Sequence, residues 1–504
     1  MLKHRKLPVL ILFFTLLTLT GSKIFGQNLN TTNVDSLLKE LPKHNNDTHK
    51  LNILNLLATI LPDGQWEKYN SELESLSKIL SKNKNDKVSI VGKKGLASAI
   101  NNWGFLKDVN GEHKEAIELY LQSLQLRKEI NDQAGIAQSL NNIADLYQTM
   151  GNVKLAIDYF EQSLKIREAI HDNEGIAESM NNLGFLYDKL GDFIKALNFH
   201  QKSYALRERI KDISGMCGSL INIGNIYYHN LNDYPKAINF YRKSMVFSTM
   251  CKDNANLANA LNNIGTAYKN IAESERRKFG DSKDVKNKID SALYYCEKSL
   301  KIRTEINDRK GLGYSYNNLG HISLLTNNLE NAENYFNESL VIRKQLNDKK
   351  DIAISIIDLG LIFFRKNQIQ KAERYTTEAH KLALEIGFPE ILKRSSHLLY
   401  QIALKKGQFE SALSNYTMFI LMRDSIQNQD IKKEMLKQQF QFEYQAKVSA
   451  DGLKVMEDRK VMGVRFEKER TQRYALYGGL VIVLIFGSFI FNRYRITQKQ
   501  KGII

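Results

Sequence analysis

The chain has 504 residues, which is enough for several ordinary domains or for one extended array. Lys and Arg outnumber Asp and Glu by 17, but these charges are scattered rather than gathered in one run. This pattern favours solvated helix faces, and the secretory signal at the N-terminus argues against nucleic-acid binding. Five prolines and the absence of sustained two-residue alternation predict an all-α fold. Three cysteines, an odd count within predicted helices, argue against a disulfide framework.

Residues 1–26 have the three-part layout of a secretory signal peptide. Lys3, Arg5 and Lys6 precede a mostly apolar run at residues 7–19, which is rather short for a permanent anchor. We expect cleavage near Gly26 and export of the rest of the chain. Residues 27–97 then predict a degenerate N-terminal helical repeat that serves as a cap, because two rich apolar faces occur at 51–60 and 66–80.

Residues 98–427 are built from a repeated unit of about forty residues. An alanine that precedes an aromatic residue recurs at steps of 40 or 41 residues, with a single step of 55. A small residue recurs upstream of most of these alanines, and Gly-Asn or a similar pair follows the first helix of the unit, where a left-handed residue ends a helix. The alanine column is Ala116, Ala156, Ala196, Ala237, Ala292, Ala332, Ala372 and Ala412; the small column includes Gly104, Ala144, Gly184, Gly224, Gly265, Gly320 and Gly360.

This pattern resembles the tetratricopeptide repeat (TPR), in its long-helix form of about forty residues, as in kinesin light chains and bacterial sensor arrays. The resemblance implies an all-α, right-handed solenoid of antiparallel helix pairs, with about eight repeats between residues 98 and 427. We expect the second helix of each pair to continue until a glycine such as Gly175 turns the chain. The long step marks an insertion near 273–287, which predicts a helix extension or a loop projecting into solvent.

After the array the composition changes twice. Residues 428–473 are charged and free of proline, and they predict a long helix that could pair as a coiled coil and form a homodimer. Residues 474–491 contain no charge and predict one transmembrane helix, followed by a basic cytoplasmic tail at 492–504. Together with the signal peptide, this places the array in the periplasm and anchors the chain in the inner (cytoplasmic) membrane by a single span.

Two neighbouring columns of asparagine are the candidate functional residues. In arrays of O-linked N-acetylglucosamine transferase and kinesin light chain, which this sequence resembles, such asparagines line the inner groove and hold an extended peptide. An amide suits that role because it offers both donors and an acceptor. The alternative is that these amides bond the neighbouring helix and specify hairpin geometry. The columns are Asn102, Asn142, Asn182, Asn222, Asn263 and Asn318, with Asp358 next, and Asn101, Asn141, Asn181, Asn262 and Asn317.

A third column places an arginine late in the second helix, usually five residues before an aspartate. Inter-repeat ion pairs and capping of the next helix are the preferred explanation, with a basic stripe for acidic ligands as the alternative. The column is Arg127, Arg167, Arg207, Arg303, Arg343 and Arg423.

The ten histidines are dispersed, and neither a nucleophile elbow nor a phosphate-binding glycine loop appears. We therefore expect no enzyme activity, no cofactor and no metal.

The order of these segments resembles the sensor half of membrane signalling proteins from the Bacteroidetes group, which continue into a kinase, phosphatase or cyclase. Only about thirteen residues follow the predicted span here, too few for such a domain. Two functions are therefore expected. The chain is a membrane-anchored scaffold or sensor that binds a protein or peptide in its groove. Alternatively, it is a receptor whose output domain is supplied by a separate protein or has been lost by truncation.

Overall fold

The structure is a computed structural model that describes residues 31–62 and 64–427, together with residues 470, 487, 488, 490 and 493. These residues are helical or lie in turns, and no strand occurs among them. The chain divides into two compact units, Met1–Lys433 and Glu434–Ile504. The helices of the first unit are α1 (Thr31–Glu40), α2 (Thr48–Ile60), α3 (Trp66–Leu80), α4 (Asp86–Val109), α5 (His113–Glu129), α6 (Gln133–Thr149), α7 (Val153–Ala169), α8 (Asn173–Lys189), α9 (Phe193–Arg209), α10 (Ile213–His229), α11 (Tyr234–Cys251), α12 (Asn254–Phe279), α13 (Lys283–Glu305), α14 (Arg309–Leu325), α15 (Leu329–Gln345), α16 (Lys349–Arg365), α17 (Ile369–Ile386) and α18 (Pro389–Lys405); a 3₁₀ turn covers Leu41–Lys43, and residues 409–427 are again helical.

Each even-numbered helix from α4 onward pairs with the odd-numbered helix that comes next in the chain. The small column lies at the closest approach: a Cβ added to Gly184 would come within 2.8 Å of the His200 ring, and one added to Gly320 within 2.5 Å of the Phe336 ring. The alanine column is buried throughout. Aromatic rings stack beside this contact, as in Tyr187 and Phe199, whose centroids are 5.6 Å apart. The predicted all-helical repeat array is therefore confirmed.

The turns between helices use left-handed residues and side-chain caps. The predicted helix ends at Gly151, Gly191, Asn232, Asn327 and Gly407 all have positive φ. The prediction that Gly175 turns the chain is wrong. His171 takes the left-handed conformation (φ 57°), α8 begins at Asn173, and Gly175 lies inside that helix.

Aspartate side chains cap the start of seven of the helices from α5 to α18. The Asp172 carboxylate, for example, accepts a hydrogen bond from the backbone N–H of Gly175 at 3.0 Å, which satisfies one of the free donors of the first helical turn.

Four members of the arginine column are buried and join consecutive repeats, namely Arg127, Arg167, Arg303 and Arg343; Arg207 is partly buried and Arg423 is exposed. Arg167 Nη1 donates to the carbonyl oxygen of Gly175 at 2.7 Å and to Ser179 Oγ at 2.9 Å. Arg343 makes the equivalent bonds to the Asp351 carbonyl and to Ser355 Oγ, at 3.0 and 2.8 Å. Since a buried guanidinium needs such partners, the four buried arginines stabilise the stacking of repeats and are not free to form a basic stripe.

Helices two apart in the chain also contact each other. The main contacts between such helices join even-numbered helices, for example α8 with α10 and α16 with α18. Neighbours on the inside of a curved stack approach one another, whereas those on the outside diverge. We call α4 to α18, taken at even numbers, the inner row, and α5 to α17 at odd numbers the outer row.

The domain boundary predicted at residues 97–98 falls inside α4, because this helix runs unbroken from the cap into the first repeat. Before it, α2 and α3 bury Leu54, Leu57, Trp66 and Leu73 as a cap.

The insertion predicted near 273–287 lengthens α12 to 26 residues and α13 to 23 residues, compared with 17 in most other repeat helices. It is only partly a solvent projection, since Val285 is buried and Arg276 bonds the carbonyl of Leu325.

Several predicted segments lie outside the described residues. These are the signal peptide at 1–26, the charged helix at 428–473 apart from residue 470, most of the span at 474–491 and the tail at 492–504 apart from residue 493. Within the part of the chain that the structure does describe, no helix has the length and apolar character needed to cross a bilayer.

Candidate functional site

The two asparagine columns lie on the inner row and bond to each other from one repeat to the next. We call the column that begins at Asn101 the first column, and the column that begins at Asn102 the second column. In the standard rung, the amide nitrogen of the second column donates to the amide oxygen of the first column in the preceding repeat. Asn142 Nδ2 donates to Asn101 Oδ1 at 2.8 Å, and Asn222 Nδ2 donates to Asn181 Oδ1 at 3.0 Å. These bonds are the helix-to-helix alternative raised from the sequence, and they tie neighbouring inner helices together.

Other rungs follow the same rule with different partners. Asn318 Nδ2 donates to Asn262 Oδ1 at 3.0 Å across the long insertion. Asn102 Nδ2 donates to the buried Asn70, which belongs to the cap. Asn263 Nδ2 donates instead to Asn225 Oδ1 at 3.2 Å, because the first-column position of that step is an isoleucine.

The two columns differ in exposure. Asn101, Asn141, Asn262 and Asn317 of the first column are buried, whereas the asparagines of the second column are only partly buried. Each standard rung uses one N–H of the second-column amide. Over the described residues, the Oδ1 atoms of Asn142, Asn222 and Asn318 accept no hydrogen bond and are not buried. The ladder therefore leaves a row of amide acceptors available on the inner face.

At the rung on Asn181, a histidine from the outer row joins the network. His200 Nδ1 lies 3.0 Å from Asn181 Oδ1 and donates to it, since an amide oxygen only accepts. Burial lowers the pKa of His200 to about 4, so the imidazole is neutral near pH 7.

The rung between α6 and α8 is missing. Asn182 forms no hydrogen bond with any described residue, and the buried Asn141 Oδ1 that would accept one has no partner. Asn141 Nδ2 instead donates to Asp145 Oδ2, one helical turn further on, at 3.0 Å. Burial raises the pKa of Asp145 to about 7, and the negative charges of Glu178 and Asp108 add to this rise.

The rung after α14 replaces the amide by a carboxylate. Asp358 is fully buried; it accepts from Asn317 Nδ2 at 3.0 Å, lies 3.3 Å from His321 Nε2 and forms an ion pair with Arg394 of α18. Burial alone would raise the pKa of Asp358, but the charges and hydrogen bonds of Arg394 and His321 lower it well below its usual range. Asp358 is thus a satisfied ion-pair partner within the ladder.

Sequence reasoning identified the two columns and the substitution at Asp358. It missed Asp145, His321 and Arg394, which belong to the same inner face. Asp145 and His321 occupy the same position of the repeat, one residue after the small column. This position is apolar in some repeats and polar in others, and that variation could have identified it from the sequence. Within the described residues, no group of three or more His, Cys, Asp and Glu side chains is arranged to hold a metal ion.

Comparison with known proteins supports the repeat assignment. A family model described as "Tetratricopeptide repeat" matches residues 95–169, 135–209 and 314–385, and a second model with the same description matches residues 219–247. A search of curated proteins returns no significant match.

Several solved structures are similar in fold. The apo form of RapI has a TM-score of 0.50 at 15% identity, covering 79% of this chain and 98% of its own. A Rap protein complexed with competence and sporulation factor gives 0.48 at 13% identity, covering 79% and 99%. A putative kinesin light chain from Podosopora anserina gives 0.34 at 16% identity, covering 43% and 98%. At such identities, the RapI match shows a shared TPR-like fold and says nothing about ligands.

Proposed function

We propose that this chain, whose repeats are tetratricopeptide repeats, binds an extended polypeptide along the inner row of its helices. The observation that carries the proposal is the row of amide oxygens that the ladder leaves free at Asn142, Asn222 and Asn318. A polypeptide in extended conformation presents backbone N–H groups at regular intervals, and these are the donors that such acceptors need. Binding through the backbone would select weakly for sequence, and side-chain contacts would add the selectivity.

The same hydrogen bonds explain how the site remains ordered without a ligand. Each second-column amide is held by the bond that its Nδ2 atom donates to the preceding repeat, so its oxygen is already oriented. A preorganised acceptor loses little side-chain entropy when a ligand binds. The ladder therefore serves both the stacking of repeats and the proposed binding, and the two roles do not exclude each other.

The proposal is tested by photocrosslinking in living cells. A photoreactive residue replaces Asn182, which makes no rung, or Asn222, which does; a matched control replaces Gln162, which is exposed on α7 of the outer row. We expect Asn182 and Asn222 to crosslink to consecutive segments of the same partner, mapped by mass spectrometry. Partners recovered from Gln162 and none from the inner row would overturn the proposal.

We also propose that the array lies in the periplasm. Export through residues 1–26 and anchoring through residues 474–491 would place the array in the periplasm, and this is supported by the charge and hydropathy of those segments alone. Protease added to spheroplasts should then digest the array and spare a tag placed after residue 501. A protected array would contradict this location.

A sensor role, with an output protein supplied separately, is distinguished from a scaffold role by the consequence of binding. A receptor should change its contact with a cytoplasmic protein when the groove is filled, and co-purification with and without the crosslinked ligand measures this change.

A further inference from the structure

One step of the amide ladder is incomplete in a way that points to a ligand. Asn141 is only 5% exposed, and its Oδ1 atom has no hydrogen-bond partner. The corresponding oxygen atoms of Asn101, Asn181 and Asn262 each accept from the next repeat. A buried acceptor without a donor is unfavourable, and each such atom in a folded protein calls for an explanation. At the α6–α8 step, Asn182, which holds the position of the donor, makes no hydrogen bond to Asn141 Oδ1.

The groups around this gap are acceptors as well. Asn141 Nδ2 donates to Asp145 Oδ2 at 3.0 Å, so the Asp145 carboxylate lies beside Asn141. Glu178, on the facing helix α8, is close enough for its charge to raise the pKa of Asp145, and Asp108 on α4 contributes in the same direction. We call Asn141, Asp145 and Glu178 the acidic rung.

The cations near the acidic rung, Arg167 and His113, already have other hydrogen-bond or ion-pair partners. Arg167 Nη1 lies 3.0 Å from Glu178 Oε2, but its two hydrogens already point to the Gly175 carbonyl and to Ser179 Oγ. Glu178 Oε2 therefore has an ion-pair contact without a hydrogen bond. His113 lies 3.1 Å from Asp108. Among the described residues, Asp145 forms no ion pair. The acidic rung thus has at least three acceptor oxygens, and Asn182, the amide at the donor position on α8, donates to none of them.

We infer that the acidic rung binds a cationic side chain, lysine or arginine, of the extended polypeptide. An ammonium group carries three donors and a guanidinium group five, so either can donate to Asn141 Oδ1 and to the adjacent Asp145 carboxylate, while the charge of Glu178 adds to the attraction. This assignment rests on the proposed function and deepens it, because it places a basic residue of the ligand opposite the α6–α8 step. The other inner-row steps would contact the ligand chiefly through its backbone.

Asp145 should be the main determinant of this contact. Its equivalents in neighbouring repeats are Phe105, Phe185, Asn225 and Thr266, none of which carries a negative charge. A bound cation favours the ionised form of Asp145, so binding should strengthen as pH rises through about 7. Asp108, Glu178, Arg167, His113 and Tyr120 are the other titratable or charged groups in this region.

A peptide-selection experiment with the immobilised full-length chain tests the inference. The probe is a library of acetylated and amidated decapeptides with a randomised uncharged background and one central position fixed as lysine, arginine, norleucine or glutamate. At pH 8 we expect lysine and arginine peptides to be enriched over norleucine peptides by roughly tenfold, the effect of one charge-assisted hydrogen bond. Asp145→Asn should abolish this enrichment. Lowering the pH to 6 should remove most of it, because Asp145 is then largely protonated.

Asp158→Asn is the matched control, because it removes the same charge from an exposed position on α7 of the outer row. It should leave the enrichment unchanged. Asp145→Asn retains the acceptor for Asn141 and nearly the same volume, and circular dichroism checks that the chain remains folded. Should Asp145→Asn fail to fold, Glu178→Gln provides the second variant and should reduce the enrichment.

The outcomes separate the inference from the proposed function. Retention of peptides without a preference for lysine or arginine overturns the inference and leaves groove binding standing. Enrichment that requires a free N-terminus, in a parallel library without acetylation, overturns the assignment to a side chain. Retention of no peptide above the level of an array with its inner-row asparagines replaced by alanine contradicts both.

Discussion

Asp145 and Asp358 are both withdrawn from water on the inner row of one array, yet their pKa values move in opposite directions. The pKa of Asp145 rises to about 7 because burial is reinforced by Glu178 and Asp108. The pKa of Asp358 falls below its usual range because Arg394 and His321 outweigh burial. The difference lies in the partners that neighbouring helices supply: the inner row holds one carboxylate that is paired with cations and one that is not.

The two regions therefore have different roles in this array. Around Asp358, the chain provides its own cations, and the network contributes to the stacking of α14, α16 and α18. Around Asp145, Arg167 contacts Glu178 but no cation pairs with Asp145 among the described residues, and Asn141 Oδ1 has no donor, so we infer that a partner supplies the cation. A structural carboxylate and a binding carboxylate can be told apart by removing each and by changing the pH.

The largest effect is expected from Asp358→Ala. This change leaves Arg394 without its carboxylate and Asn317 without its acceptor, and breaking a buried pair in this way destabilises by about 3–5 kcal/mol. Because Arg394 is partly exposed, we expect the lower end of that range. Urea unfolding of the full-length chain measures the loss, and hydrogen exchange should localise it to α16 and α18.

Lys349→Ala is the control for this prediction, since Lys349 and Glu385 form an ion pair on the surface with both side chains more than half exposed. Its removal should lower the free energy of unfolding by at most about 1 kcal/mol. Equal losses in the two variants would mean that the Asp358 network does not stabilise the array.

The second prediction concerns pH. Asp145 has a folded pKa of about 7 against 3.8 for the ordinary side chain, so the folded state binds the proton more tightly. The stabilisation that comes with this proton is complete below about pH 4 and is lost as pH rises through about 7. Each unit of displacement corresponds to about 1.4 kcal/mol, so Asp145→Asn should be more stable than the original chain by a few kcal/mol at pH 8 and nearly equal at pH 4.

For Asp358 we expect the opposite dependence of stability on pH. Because its pKa is lowered in the folded state, its ionised form stabilises the fold above the ordinary pKa of aspartate, and this stabilisation is lost as pH falls below about 4. Thermal unfolding of the two variants and the original chain between pH 3 and pH 8 measures both trends. A parallel pH dependence for Asp145→Asn and the original chain would contradict the difference between the two carboxyl groups.

The repeat, the helix ends and the small and alanine columns could be predicted because each depends on residue types that recur at fixed spacing. Once the period of the repeat is known, a small residue such as Gly104 or Ala116 indicates by its size a buried, close contact between helices. The environments of Asp145 and Asp358 could not be predicted in this way. They depend on Glu178 and Arg394, which lie more than thirty residues away and do not recur in the other repeats.

The misplaced turn at Gly175 has a related cause. Glycine is the usual left-handed residue, but His171 takes that conformation here, as Asn131, Asn307 and Asn347 do at the equivalent positions. The position is fixed by the length of the second helix, which the repeat sets, rather than by the identity of the residue.

The third prediction tests whether the two regions share one scaffold. A methyl group at Gly184 or at Gly320 would clash with the ring of His200 or of Phe336, so both alanine variants should lose about 1–3 kcal/mol of stability. Gly313→Ala is the control in α14, because the nearest atoms lie 3.7 Å from the added Cβ. It should stabilise the helix by up to about 1 kcal/mol. A clear inequality between Gly184→Ala and Gly320→Ala, seen by urea unfolding, would show that helix spacing differs between the regions.

The smallest effect distinguishes a formed rung from the missing one. Asn142→Ala removes the donor to the buried Asn101 Oδ1, and an acceptor left unsatisfied destabilises by about 1–3 kcal/mol. Since Asn142 is only partly buried, water can replace some of this bond, and we expect about 1 kcal/mol. Asn182→Ala removes no hydrogen bond and should change stability by less than about 0.5 kcal/mol. Urea unfolding of the two variants side by side makes the comparison. If Asn182→Ala lost as much stability as Asn142→Ala, the α6–α8 rung would be formed in solution, and Asn141 would no longer need a donor from a ligand.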